Sequence, residues 1–163
     1  MHHLKAIALD VDGVLTDGGF CWGPNGEEWK RFCFADVMGV SLARKAGLIV
    51  ALISGEDSPL IDRFASKMGI ADIEKNCKNK AQALRNLAQR RSLSLNEICF
   101  MGDDVNDLEA MEIAGLAAAP ADARPDALRR AVFISRRPGG NGAVRELVDA
   151  VLDARARPQT RSA

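Results

Sequence analysis

Leu4-Lys5-Ala6-Ile7-Ala8-Leu9 runs straight into Asp10-Val11-Asp12-Gly13. A short, almost unbroken apolar run that stops on acids and a glycine reads as a strand buried on both faces, ending in a polar loop. Outward from it, the same signature returns at Gly47-Leu48-Ile49-Val50-Ala51-Leu52-Ile53-Ser54, at Glu97-Ile98-Cys99-Phe100-Met101-Gly102 and at Ala131-Val132-Phe133-Ile134-Ser135. Weaker runs lie near Ile70–Glu74 and at Leu116-Ala117-Ala118-Ala119-Pro120. Between the runs, apolar residues recur at helical spacing over 36–46, 58–68, 79–91, 105–114 and 142–154. Alternating strands and helices predict an α/β fold, a doubly wound parallel sheet with right-handed crossovers.

One segment breaks the alternation. Residues 18–34 set Pro24-Asn25-Gly26, a turn signal, between two aromatic-rich runs, which predicts a β-hairpin. The hairpin holds both tryptophans and three of the six phenylalanines. It either covers this chain's own core or, the reading preferred here, forms part of a subunit interface, because exposed apolar patches mark contacts.

A length of 163 residues fits one domain, expected over 1–153 with a flexible C-terminal tail over 154–163. Lys and Arg number 22 and Asp and Glu 22, so the net charge gives no general affinity for nucleic acid. No apolar run reaches the roughly 18 residues of a membrane span. Lys5 and Asp10 interrupt the first apolar stretch, which argues against a signal peptide. The cysteines at 21, 33, 77 and 99 have no CxxC spacing, so reduced thiols in a cytoplasmic protein are expected rather than a zinc site. Residues 124–163 hold nine arginines, no lysine and four acids, a solvated or subunit-facing basic surface. His2 and His3 are given no role.

The conspicuous polar residues all fall where strands end, which is where open α/β sheets bind ligands. Asp10 and Asp12 follow the first strand, Ser54 and Gly55 end the second, and Asp103 and Asp104 follow the 97–102 strand, with Asp107 opening the next helix. Lys80 starts the helix that precedes that strand. Carboxylates converging without a cation repel by several kcal/mol for close pairs in low dielectric. A hard divalent cation on oxygen ligands, magnesium, resolves this. Magnesium with carboxylates, a Ser and a Lys matches phosphoryl transfer: the hydroxyl and ammonium hold phosphate oxygens, and two carboxylates share the work of nucleophile and acid/base. No GxxxxGK[ST] is present, so this is not a P-loop.

At these residues the chain resembles the haloacid dehalogenase superfamily of phosphatases, whose fold is Rossmann-like. Asp10-Val11-Asp12-Gly13-Val14-Leu15-Thr16-Asp17, Ile53-Ser54-Gly55, Lys80 and Gly102-Asp103-Asp104-Val105-Asn106-Asp107 look like its four motifs, in order. Asn25-Gly26-Glu27-Glu28 and Gly139-Gly140-Asn141-Gly142-Ala143-Val144-Arg145-Glu146 are similar to one capless branch, the 3-deoxy-manno-octulosonate 8-phosphate phosphatases and their nine-carbon ulosonate 9-phosphate relatives. The resemblance spans about residues 4–152.

It implies that Asp10 forms an aspartyl-phosphate and that Asp12 protonates the leaving sugar oxygen, then activates water. It implies that the Asp10 carboxylate, the Asp12 carbonyl and the Asp103 carboxylate bind magnesium, that Ser54, Gly55 and Lys80 hold the phosphoryl group, and that Asp104 and Asp107 surround the metal waters and Lys80. A helix-capping or surface role is the alternative for Asp107. There is no room for a cap domain, and relatives of this branch are homotetramers in which a neighbour's hairpin and C-terminal segment close the site over a small phosphorylated sugar acid.

The octulosonate enzymes carry Arg where this chain has Glu56, and a second Arg where it has Phe64, beside Arg63. Guanidinium groups suit a substrate carboxylate. Glu56 would repel one and resembles the nine-carbon branch instead, unless it is merely a solvated loop residue. A phosphatase of another small sugar phosphate, a catalytically silent relative of the domains fused to sugar cytidylyltransferases, and a signalling receiver domain are the alternatives. A receiver needs an acceptor Asp at the end of the third strand, where this chain has Lys75-Asn76.

Overall fold

The computed structural model describes residues 1–156. In chain order the elements are β1 (Ala6–Leu9), β2 (Cys21–Trp22), β3 (Glu28–Trp29), α1 (Phe34–Lys45), β4 (Ile49–Ile53), α2 (Pro59–Met68), β5 (Asp72–Glu74), α3 (Lys80–Arg90), β6 (Ile98–Met101), α4 (Leu108–Ile113), β7 (Leu116–Ala119), α5 (Pro125–Arg130), β8 (Phe133–Ile134) and α6 (Ala143–Ala156). Six strands form a sheet in the order β5-β4-β1-β6-β7-β8, every neighbouring pair parallel. β2 and β3 form the separate antiparallel hairpin. The expected doubly wound, Rossmann-like sheet with a hairpin and no cap is the observed architecture.

Alternation along each strand sorts the core into two layers. Ile7, Leu9, Val50, Leu52, Cys99 and Met101 point into one, packed under α1, α2 and α6. Ala6, Ala8, Ala51, Ile53, Ile98 and Phe100 point into the other, under α3, α4 and α5. β1 is buried throughout because both its neighbours and both faces are occupied. Since β4 lies on one side of β1 and β6 on the other, the sheet order reverses here, opening a crevice at the strands' carboxyl ends.

Local chemistry sets the helix ends. Ser58 caps α2 by accepting from the Leu60 amide, Pro59 opens the helix, and Gly69 closes it with φ of 65°. Asn79 caps α3 through the Gln82 amide and so fixes Lys80 as its first residue.

Several expected boundaries move. The helix expected over 105–114 opens as a 3-10 turn, Val105–Asp107, before α4. The strand expected over 131–135 shrinks to Phe133–Ile134, because α5, which sequence periodicity missed, runs to Arg130 and Ala131 still bonds back to Ala127. α6 continues to Ala156, past the expected start of the tail at 154, and Arg155 Nη1 donates to the Ala46 carbonyl at the end of α1. The rest of that tail, 157–163, lies outside the described residues. Phe64, where a substrate arginine was considered, faces the core and stacks on Phe32 with centroids 4.4 Å apart.

Among the described residues no helix is long and apolar enough to cross a membrane. The four cysteines are free thiols, from exposed Cys21 to buried Cys99.

Candidate active site

Three strand ends build the site. After β1, the amides of Leu15 and Thr16 both turn back to the Val11 carbonyl, which folds residues 11–16 into a tight loop. Gly13 has φ of 92°, and a β-carbon there would stand 2.2 Å from Asp103 Oδ2, so only glycine lets this loop approach the β6 end. After β4, the Ser54 amide bonds to the Glu74 carbonyl and Ser54 Oγ accepts from the Glu56 amide at 3.1 Å. After β6, Asp107 Oδ2 accepts from the amides of Asp103 and Asp104 at 2.9 and 3.2 Å, which folds the 102–107 loop around a buried carboxylate.

Asp10, Asp103 and Asp107 each offer a carboxylate oxygen within 4.8 Å of the others. Lys80 Nζ stands 2.8 Å from Asp10 Oδ1 and 2.6 Å from Asp107 Oδ1, and both acids are buried with it. Burial, then the Asp107 charge, pushes the Asp10 carboxyl well above the usual carboxylate range, against the pull of Lys80. Burial and the same neighbour push Asp103 up to about 6. Lys80 is itself raised: burial works against its charge, but Asp10 and Asp107 outweigh it. Carboxyls held this high report burial first and crowded negative charge second, and a hard divalent cation offsets both. The all-oxygen donor set suits magnesium, so these residues fit the metal. Asp107 spends its lone pairs on Lys80 and two amides, and is therefore the orienting member of the cluster rather than its freest ligand. A role confined to the surface is excluded for it, since it is fully buried.

Above the cluster opens a cleft of about 410 Å³. Asp10, Asp12, Ser54, Gly55, Glu56, Asp103 and Asp104 line it, as the sequence predicts. Lys80 and Asp107 do not line it and reach it through Asp10 and Asp103. Asp104 caps the 3-10 turn by accepting from the Val105 amide at 2.7 Å and faces the Arg124 guanidinium at 3.6 Å.

Four contributors escaped sequence reasoning. Arg124 and Asp122 reach the rim from the loop after β7, and Asp122 Oδ1 accepts from the Gly139 amide. Thr16 Oγ1 donates to Asp12 Oδ1 at 3.3 Å. Lys30, from the hairpin, donates to the same oxygen at 2.6 Å. The alternation Glu28, Lys30, Phe32 against Trp29 and Arg31 was the available signal for Lys30, since it sets the lysine on the inward side of the extended segment that continues β3.

A family model for haloacid dehalogenase-like hydrolases matches residues 44–147, carrying the Ser54, Lys80 and Asp103 segments. The chain belongs to the haloacid dehalogenase-like hydrolases. Within them, it is 36% identical over 155 residues to the 3-deoxy-D-manno-octulosonate 8-phosphate phosphatase of Escherichia coli, covering 95% of this chain and 82% of that one. To the Yersinia pestis phosphatase of the same name it is 33% identical over 150 residues, covering 92% and 80%. The Moraxella catarrhalis phosphatase, solved in complex with magnesium, phosphate and a KDO molecule, superposes with a TM-score of 0.92 at 34% identity, covering 94% of this chain and 88% of that one. A cobalt-bound Haemophilus influenzae phosphatase superposes with a TM-score of 0.92 at 31% identity, covering 99% and 95%. This haloacid dehalogenase-like hydrolase is a phosphoric monoester hydrolase, and its Asp10, Asp103 and Asp107 cluster suits a cation such as the magnesium held by the Moraxella catarrhalis phosphatase.

Proposed function

We propose that the chain hydrolyses the phosphate monoester of an ulosonic acid, of the octulosonate 8-phosphate or nine-carbon ulosonate 9-phosphate type, through an aspartyl-phosphate on Asp10. The observation that carries this reading is the buried Asp10–Lys80–Asp107 chain beneath a cleft whose walls hold Asp12 and Ser54.

Lys80 holds Asp10 by Oδ1, which leaves Oδ2 to face phosphorus as the attacking oxygen. The Asp10 O–P bond forms as the bond from phosphorus to the sugar oxygen breaks, and Asp12 gives that oxygen its proton. Asp12 then takes a proton from water, whose oxygen attacks phosphorus while the bond to Asp10 breaks. Ser54 Oγ and the Gly55 backbone hold phosphoryl oxygens at the end of β4. The Asp10 and Asp103 carboxylates and the Asp12 carbonyl would hold magnesium, which would supply neutralisation of charge on the phosphoryl group.

Arg124 is the cation among the cleft-lining residues, and it offers a guanidinium to the anionic sugar in place of the arginines missing at 56 and 64. The intact acid, Ser and Lys set supports turnover over a silent role. The exposed hairpin aromatics support a homotetramer, and the free thiols support a cytoplasmic setting.

The test is phosphate release from a panel of phosphorylated ulosonates with magnesium. Activity is expected on at least one, silenced by EDTA, restored by magnesium, and lost in Asp10→Asn with the fold retained. Activity that survives exhaustive chelation, or in pure Asp10→Asn, overturns the mechanism.

A further inference from the structure

Lys30 is a lysine whose side chain is only 2% exposed, carried on a hairpin whose Phe20, Trp22 and Trp29 face solvent. Its Nζ stands 2.6 Å from Asp12 Oδ1, 3.7 Å from Glu28 Oε1 and 5.2 Å from the centre of the Phe20 ring. Glu28 is in turn held by the Ser58 hydroxyl at 3.0 Å, so the hairpin is pinned both to the loop after β1 and to the start of α2. Asp12 Oδ1 thus receives two donors, Lys30 and Thr16. Asp12 Oδ2 is buried and has no hydrogen-bond partner among the described residues. Polar atoms in such a state are rare and costly unless a reacting group supplies the partner.

We propose that Lys30 is a positioning residue for the acid/base Asp12. This rests on the Asp12 role given above and deepens it. With the ammonium and the Thr16 hydroxyl on Oδ1, the proton of the acid form has one site, Oδ2. The carboxyl plane is locked, and Oδ2, the oxygen without a protein donor, is the one left to carry the proton once substrate reaches it. Because Lys30 comes from the hairpin, the acid/base is set only when the hairpin is seated. A hairpin out of place leaves Asp10 intact as a nucleophile but leaves Asp12 unaimed.

Leaving groups separate this role from a structural one. A sugar alkoxide needs a proton to depart, whereas p-nitrophenolate departs without one. The experiment mixes excess enzyme with substrate, so that only the first chemical step is read. It compares 3-deoxy-manno-octulosonate 8-phosphate, or the ulosonate phosphate that wild type turns over best, with p-nitrophenyl phosphate. General acids contribute about 10²–10⁴-fold, so Lys30→Met is expected to slow the sugar phosphate by about 10–100-fold. The aryl phosphate is expected to slow by less than about threefold, since its departure draws on none of that contribution. Lys30→Arg is expected to recover most of the loss. In an Asp12→Asn background, Lys30→Met is expected to cost nothing further, the mark of two residues acting as one.

Should Lys30→Met lose its fold by circular dichroism, Lys30→Gln carries the same expectation. Equal loss on both substrates, no loss on either, or full additivity with Asp12→Asn overturns the proposal. Wild type inactive on every phosphate monoester overturns the phosphatase reading itself, and this one with it.

Discussion

Glu56 stands two residues beyond Ser54, its amide tied to the serine hydroxyl and its side chain on the cleft wall. A carboxylate there disfavours a substrate acid placed against it and favours hydroxyl or ammonium donors. Charged hydrogen bonds contribute about 1.5–3 kcal/mol, or one to two decades in specificity. Wild type is therefore expected to prefer a nine-carbon ulosonate 9-phosphate over octulosonate 8-phosphate, and Glu56→Arg to move the preference toward the octulosonate. The measurement is kcat/KM for both substrates on both variants, and a tenfold wild-type preference for the octulosonate ends this reading of Glu56. Phe64 is removed from the cleft by its stacking on Phe32, so it bears on this choice only indirectly. At this scale the sequence was most informative where chemistry is local: an acid pair after a strand, or a Ser-Gly after another, announces itself. Lys30 and Thr16 did not, because what matters about them is which carboxylate oxygen they touch, and for Lys30 that depends on how a hairpin folds back across a separation of 18 residues.

The elements around the site are tied together by carboxylates that do no chemistry. Asp36, in the first turn of α1, is buried and accepts from the amides of Gly142 and Arg145 at the start of α6. Burial holds its carboxyl above the usual range in spite of those donors. Glu146 in the first turn of α6 accepts from the Ser135 hydroxyl at 2.7 Å and from both the amide and Nε of Arg136, fastening α6 to the end of β8. The Ser135 hydroxyl first, and then Arg136, lower the Glu146 carboxyl from 4.5 to about 2. Between those values the folded state binds fewer protons than the unfolded one, so this contribution to stability is complete above about pH 4.5 and is lost as pH falls toward 2. Glu146→Gln is expected to lower stability at pH 7 by about 1 kcal/mol, discounted for solvent at a partly exposed pair. The difference from wild type should vanish in urea titrations at pH 2. The strands and most helices were legible in the sequence because apolar period and caps agree there. α5 was not: its six residues are too few for a periodic stripe, and only Pro125 after Arg124 marks its start.

In the whole molecule, the hairpin presents Phe20, Trp22 and Trp29 to solvent, 55, 69 and 57% exposed, and Phe34 at its foot is 76% exposed. Only Phe32 turns inward. Covering this chain's own core is thus not what the tryptophans do, and under the proposed homotetramer they would face a neighbouring copy. Replacing the turn from Gly23 to Glu27 is expected to weaken assembly and lower activity together, read by light scattering and phosphate release on the same samples. A fully active monomer would be the contrary result. The last residues of the basic C-terminal stretch, 157–163, lie outside the described ones.

The loop that carries the nucleophile also leans on a distant part of the chain. Gly140 donates its amide to the Val14 carbonyl, and its own carbonyl accepts from Arg31. A β-carbon on Gly139 would stand 1.8 Å from the Gly13 carbonyl oxygen, so the two backbones run in direct contact. During synthesis the ribosome delivers residues 10–17 about 122 residues before residues 139–140. At about 5–20 residues per second, the wait between them is roughly 6–25 s. Throughout it the β1 loop exists without the strap that shapes it. A nascent chain therefore carries the β1 loop long before the strap that shapes it, and α6, which covers one face of the sheet, arrives only after that strap.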